Sequence, residues 1–423
     1  MVRIKLPYGR RSIIVDIPED RLNGVLISLA HKYTTLKSEK DILKRALSKP
    51  IDTPRLKELV QGKEKIVVIS SDHTRPVPSH VTMPLILGEI REMNPKVDIH
   101  ILVATGFHRA STETELRDKY GNEIVDNEKI VIHDSRDEGS MVKVGILPSG
   151  GDLILNKLAV EADLLIAEGL IEPHFFAGFS GGSKSILPGI ASHTTVLANH
   201  CSEFIAHKRA RAGILKGNPI HKDMLYAAQK ANLAFILNVV INANKKVINA
   251  FAGHSEKAHF KGCKFISEHV RVKAEPADIV ITTNGGYPLD QNIYQSVKSM
   301  TAAEATCKEG GIIIVVSECI DGHGGDSFYS TFTDADSVQE ITDDIMLRNR
   351  NETLPDQWES QILARILLRY KVIMVTDAPK EIVENMHMKW AASVVEAIEM
   401  ADEILGGLNK ITIIPDGVSV IVQ

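Results

Sequence analysis

A chain of 423 residues is long for one hydrophobic core and predicts two domains. Its 44% hydrophobic and 24% charged content is that of an ordinary globular protein, and a net charge of −5 supplies no basic face for nucleic acid or anionic membrane. Four cysteines without a Cys-x-x-Cys pair argue against structural zinc or an iron–sulfur cluster and fit a reducing cytoplasm.

No run approaches the ~20 apolar residues of a membrane span, and the first residues lack the apolar core of a signal peptide. Residues 2–6 and 12–17 read as a small hairpin, followed by helical segments, one of them opened by a Thr53 N-cap with Pro54 in its first turn. A regular alternation then begins, with strands at 65–70, 97–104, 130–132 and 164–167 and a helix over about 83–93. The stretch 199–265 is less regular, and within it 238–242 and 246–250 read as two strands joined by the turn Ala243-Asn244-Lys245. A second alternation has strands at 278–282, 311–316, 371–375 and 411–414 and helices over 292–307 and 361–369. Strands alternating with helices predict an α/β fold of two domains, each a mainly parallel sheet flanked by helices. The expected division is 1–268, a helical linker at 269–277, and 278–423, with the last strand region able to pack back on the first domain.

In open α/β sheets ligands bind at the carboxyl ends of the strands, and the reactive side chains collect there. After the first strand of the alternation comes Ser71-Asp72-His73-Thr74-Arg75-Pro76, and after the second Thr105-Gly106-Phe107-His108-Arg109. After 164–167 comes a long loop holding Glu172, His174, Gly178, Gly181, Gly182, Ser183, Lys184, Ser185 and Pro188. After 278–282 comes Thr283-Asn284-Gly285-Gly286-Tyr287-Pro288-Leu289-Asp290-Gln291, running into a helix with Tyr294, Gln295 and Lys298. Four such loops in two domains predict a site in the cleft between the domains. Lys184 is either a phosphate-binding point charge or a nucleophile. Gly178 and Lys184-Ser185 have Walker A spacing, but Ser183 stands where that loop needs glycine and Pro188 interrupts the required helix. Arg75 in a stiff loop is either a surface charge or a bidentate carboxylate binder. Gln295 and Lys298 share a helix face. Asn284-Gly285-Gly286 is a turn or a backbone nest for an anion. His193, His200 and His207 recur every seven residues, which on a helix spans about 10 Å, so at most one of them ligates a given metal.

Together these segments, with Tyr294-Gln295-Ser296-Val297-Lys298, closely resemble the nickel-dependent lactate racemase family, in that family's order and over most of the chain. The resemblance implies a nickel-pincer nucleotide (pyridinium-3-thioamide-5-thiocarboxylic acid mononucleotide) tethered covalently to Lys184, with His200 completing the planar ligand set that suits Ni(II). Asp72 and Arg75 would contact the cofactor or, for Asp72, orient the arginine. The Cα–H of lactate is not appreciably acidic, because its carboxylate is already negative. Hydride transfer to an electrophilic cofactor is the easier path, with one base for each enantiomer, and the resemblance assigns these bases to His108 and His174. Arg75, Gln295 and Lys298 would hold the substrate carboxylate, with Tyr294 in the same segment and Trp358 as a wall of the site. The implied function is interconversion of D- and L-lactate in the cytoplasm, with the cofactor's biosynthetic enzymes as partners. Racemisation of another 2-hydroxy acid such as malate, or carriage of the nickel nucleotide without catalysis, are the alternatives. A nicotinamide dehydrogenase ranks last, for want of a Gly-x-Gly-x-x-Gly after a strand.

Overall fold

The computed structural model describes residues 1–33 and 35–423, and of His31 and Lys32 the backbone alone. The chain divides into two compact units, one of Ala30–His200 with His207–His269 and one of Met1–Leu29, Cys201–Ala206 and Val270–Gln423.

The first of these holds a six-stranded sheet in the order Val247–Gly253, Leu233–Ile241, Leu164–Leu170, Lys65–Ser71, Asp98–Ala104, Lys129–Ile132. Its neighbours are parallel except for the hairpin of Leu233–Ile241 with Val247–Gly253. The central strands are buried along nearly their whole length, so they read as continuous apolar runs rather than alternating ones. Their alternate residues, Ile66 and Val68, Ile101 and Val103, and Leu164 and Ile166, share one core with Met83, Ile86, Leu87 and Ile90. Those four recur at helical spacing and form the buried stripe of the helix Ser79–Met93. The chain runs from Lys65–Ser71 outward to Asp98–Ala104 and Lys129–Ile132, then returns to place Leu164–Leu170 on the other side of the starting strand. That reversal leaves a crevice at the carboxyl ends of Lys65–Ser71 and Leu164–Leu170.

The second unit holds an all-parallel six-stranded sheet in the order Lys389–Ala391, Lys371–Val375, Cys307–Val316, Ala277–Thr283, Ile411–Ile414, Leu22–Val25. Ile279, Ile281, Ile312, Ile314, Ile373 and Ile413 turn one face of it toward Ile4, Leu6, Val15 and Ile17 of the hairpin Val2–Tyr8/Arg11–Ile17, and toward the helix Val394–Leu405. The strand order again reverses, here beside Ala277–Thr283, and the loop Thr283–Gly286 leaves from that point.

Three expectations are corrected. Residues 1–29 do not belong with 30–268, because Leu22–Val25 pairs with Ile411–Ile414 and the hairpin's apolar face enters that sheet's core. The last strand, Ile421–Val422, stays in its own unit by pairing with Arg271–Val272; the expected linker therefore contains a strand, and the helix before it ends at Val270. Thr53 caps nothing, since the short helix Leu56–Leu59 starts after Arg55.

Candidate functional site

At the crevice of the first sheet lies a cavity lined by Asp72, Arg75, His108, Glu168 and Lys184, together with Ser180, Gly181 and Pro188. Asp72 follows the strand Lys65–Ser71 directly and is buried. Its Oδ1 accepts from Thr74 N–H (3.1 Å) and Thr74 Oγ1 (2.6 Å), the local turn expected of an aspartate two residues ahead of a donor. Its Oδ2 accepts from His108 Nδ1 at 2.7 Å. Burial pushes the Asp72 carboxyl up, but the His108 hydrogen bond and charge, with Arg75 behind them, overcome this and hold it well below the usual carboxylate range. His108 comes from the turn after Asp98–Ala104, closed by His108 N–H on Thr105 C=O at 2.9 Å, and its side chain is 41% exposed. The two residues are 36 apart in sequence, but they sit at the ends of adjacent parallel strands. With Nδ1–H given to an anion, the neutral ring carries its lone pair on Nε2. This is the geometry of an oriented general base.

Arg75 donates to Thr74 Oγ1 at 3.4 Å, and its backbone carbonyl accepts from Lys119 Nζ at 3.4 Å. Sequence reasoning missed Lys119 and also Glu168. Glu168 interrupts the apolar strand Leu164–Leu170, and its Oε1 accepts from Ser70 Oγ and Ser79 Oγ, both at 2.6 Å, while Oε2 accepts from Thr82 Oγ1. A carboxylate inside a buried run was the available signal, since such a group persists only when it is hydrogen-bonded.

Lys184 lies in a single 3-10 turn, Gly182–Ser185. The loop reaches it through Gly181 and Gly182, at φ +79° and +55°. Gly182 N–H donates to Asn238 Oδ1 at 2.8 Å, and Ser180 C=O accepts from His259 Nε2 at 2.9 Å, so two buried side chains clamp the loop from beneath. A Cβ on Gly182 would lie 2.5 Å from His259 Cγ. Gly182→Ala is therefore expected to cost about 2–3 kcal/mol, from the left-handed backbone plus the clash. Gly62→Ala, at φ +70° in open space, should cost only about 1 kcal/mol. Denaturant midpoints of the two variants check the difference.

His174 is buried, in a two-residue bridge with Gly178–Phe179. Ala177 N–H donates to its Nδ1 at 3.2 Å, so the neutral ring carries its proton on Nε2, opposite to His108. That bond must open before the ring can take a proton at Nδ1 and cycle as a base. The Phe176 ring stands edge-on to both His174 (4.6 Å) and His200 (5.1 Å). His200 ends the helix His193–Asn199 and donates Nδ1–H to Val196 C=O at 3.0 Å, which leaves the lone pair on Nε2, the form that ligates metals. Burial first, and the Lys184 charge second, push His200 down to about 3, so the ring stays neutral. The seven-residue histidine spacing does not mark one helical stripe: the helix ends at His200, and His207 follows a separate short helix, Ser202–Ala206. Among the described residues, no three His, Cys, Asp or Glu side chains group so as to hold a metal.

The remaining candidates form a cluster in the other unit. Asn292 caps the helix Ile293–Glu304 by accepting from Gln295 N–H at 2.9 Å, and Lys298 Nζ donates to Gln295 Oε1 one turn on. Trp358 Nε1–H donates to Tyr294 OH at 3.1 Å. The Asn284-Gly285-Gly286 segment is a packed turn and not an open anion nest: Gly285 N–H is held by Thr283 Oγ1 and Tyr287 N–H by Gly9 C=O.

Two family models match, the lactate racemase N-terminal domain over residues 8–213 and the lactate racemase C-terminal domain over 272–422. The chain is 60% identical to a lactate racemase of Thermoanaerobacterium thermosaccharolyticum and 54% identical to one of Lactiplantibacillus plantarum, in each case over 100% of both chains. The structure of the lactate racemase apoprotein from T. thermosaccharolyticum superposes with a TM-score of 0.97 at 59% identity over 100% of both chains. A Thermotoga maritima protein shares the fold at 20% identity, with a TM-score of 0.68 over 91% of this chain and 98% of its own. This chain belongs to the lactate racemase family.

Proposed function

We propose that the chain is an isomerase that interconverts D- and L-lactate, using a nickel-pincer nucleotide held by Lys184 and His200. The observation that carries this reading is the His108–Asp72 pair opening on the same cavity as Lys184. The donor set fits the group: Lys184 lines the cavity as the attachment point, and His200 is held neutral with its metal-binding nitrogen unprotonated. One protein ligand suffices when the nucleotide brings sulfur and carbon donors of its own.

Bound there by Lys184 and His200, the group would supply an electrophilic hydride acceptor for the substrate Cα–H. His108 Nε2 takes the hydroxyl proton of one enantiomer, while Asp72 holds the ring's tautomer and stabilises the cation that forms. His174 serves the other enantiomer once Ala177 N–H has released Nδ1. Arg75, Gln295 and Lys298 hold the carboxylate, with Tyr294 and Trp358 beside them. The enzyme works in the cytoplasm and takes its cofactor from dedicated biosynthetic enzymes; among the described residues no helix is long and apolar enough to cross a membrane.

The test is D/L-lactate interconversion by protein produced together with the nickel-nucleotide pathway, with malate and larger 2-hydroxy acids assayed beside it. Racemisation of lactate, falling at least 100-fold in both His108→Ala and His174→Ala, is expected from the loss of a general base. Activity confined to another acid would replace the substrate. Protein that carries nickel and the lysine adduct yet racemises none of these acids would remove the catalytic reading.

A further inference from the structure

The helix Gln357–Leu367 begins with eight consecutive buried residues, Gln357 to Ala364. A surface helix returns to solvent every turn, so this stretch is enclosed on all sides, by Ile293–Glu304, Asp326–Thr333, Val338–Leu347 and Ser202–Ala206. Within it stands Glu359, 1% exposed, with no hydrogen-bond partner for Oε1 among the described residues. Nothing in the racemisation chemistry uses it. A carboxyl in such a place is costly to ionise unless a cation or hydrogen-bond donor compensates it.

Two neighbours act on its charge. Lys298, on Ile293–Glu304, attracts the ionised form, and Asp356, at the head of the same helix, repels it. Glu359 in turn acts on Tyr294, whose hydroxyl is pushed well above its ordinary value by burial and by Glu359 and Asp356. The acids of the other packing helices, Glu203, Asp326, Glu340, Asp343 and Asp344, are solvent-exposed. Burial pushes the Glu359 carboxyl up to about 8, against the pull of Lys298. At neutral pH the group is therefore a neutral acid facing a cation that already donates to Gln295.

We propose that Glu359 is a positioning residue that makes substrate binding proton-linked: while neutral it leaves the Lys298 charge to the substrate carboxylate, and once ionised it competes for that charge. The inference rests on the racemase reading in which Lys298 holds the substrate. Its sign follows from linkage. An anion arriving at Lys298 raises the cost of ionising Glu359, so above its titration each bound substrate takes up a proton. KM should rise with pH above about 8, approaching about tenfold per unit for a single linked proton, without a matching fall in kcat.

The experiment measures KM and kcat for lactate from pH 6 to 10 (roughly the window that brackets the titration) in the loaded wild-type enzyme, Glu359→Gln and Lys298→Met. The expected result is a KM that climbs in wild type and stays flat in Glu359→Gln. Any other pH effect on binding is common to both proteins, so their difference isolates Glu359. Equal pH profiles in wild type and Glu359→Gln, with Lys298→Met raising KM, would overturn the Glu359 inference and leave the racemase reading intact. An unchanged KM in Lys298→Met would overturn both the substrate site and the inference. Should Glu359→Gln fold poorly, calorimetry of lactate binding to wild type in buffers of different ionisation enthalpy decides: proton uptake near one per lactate above pH 8 supports the linkage, and none overturns it.

Discussion

Asp72→Asn is expected to lower kcat for lactate by about 10³- to 10⁴-fold, the scale on which a wrong histidine tautomer acts in other histidine–carboxylate pairs. The reason lies in Thr74. Its N–H donates to Asp72 Oδ1, so an asparagine here must keep its carbonyl oxygen on that side and turn its amide toward His108. An amide donor facing Nδ1 requires Nδ1 to accept, which moves the ring proton to Nε2 and removes the base. Asparagine is close to isosteric, and the Thr74 contact survives, so the thermal midpoint should stay near wild type while kcat falls and KM changes little. The equilibrium constant of a racemisation is one, so kcat/KM must drop equally in the D-to-L and L-to-D directions. Measuring both directions checks the result internally. A wild-type rate in either direction would take the His108–Asp72 pair out of the chemistry.

That pairing marks what the sequence can and cannot carry. The loops at strand ends were legible because buried parallel strands leave long apolar runs, as in residues 65–70 and 311–316, and because polar residues follow them directly. That Asp72 grips His108 was not legible: the contact depends on the register of two strands, set by packing rather than by spacing. Leu22–Val25 escaped notice because four residues that include Asn23 and Gly24 have no β pattern, and only the edge of Ile411–Ile414 makes them a strand. The swap of residues 1–29 into the second unit follows from that pairing together with the hairpin's apolar face in the same core. Glu168 and Glu359 were hidden differently. A charged residue reads as solvent-facing by default, and only three-dimensional enclosure reveals a carboxylate held by three hydroxyls or an acid shut inside four helices. His174 shows the same limit at finer grain, since its tautomer is set by the backbone of Ala177 and no residue type predicts it.

Lys184→Arg is expected to abolish racemisation and the covalent adduct together. Arginine keeps the positive charge but replaces the primary amine by a guanidinium that stays protonated at all working pH values, so it offers no nucleophilic nitrogen for a thioamide. The loop should hold its shape, because its anchors are Gly182 N–H on Asn238 and Ser180 C=O on His259, neither of which involves the lysine side chain. The cation that helps keep His200 neutral is also retained, so the histidine remains in its metal-binding form. The substitution thereby separates the tether from the metal ligand, which Lys184→Ala would not do. Intact mass of wild type and variant, both produced with the cofactor pathway, is the first readout: the adduct should be present in wild type and missing in Lys184→Arg. Racemisation is the second, expected to fall to the uncatalysed background. An adduct that persists in the arginine variant would place the attachment on another residue, and full activity without an adduct would show that the tether is dispensable and that the pocket alone retains the group.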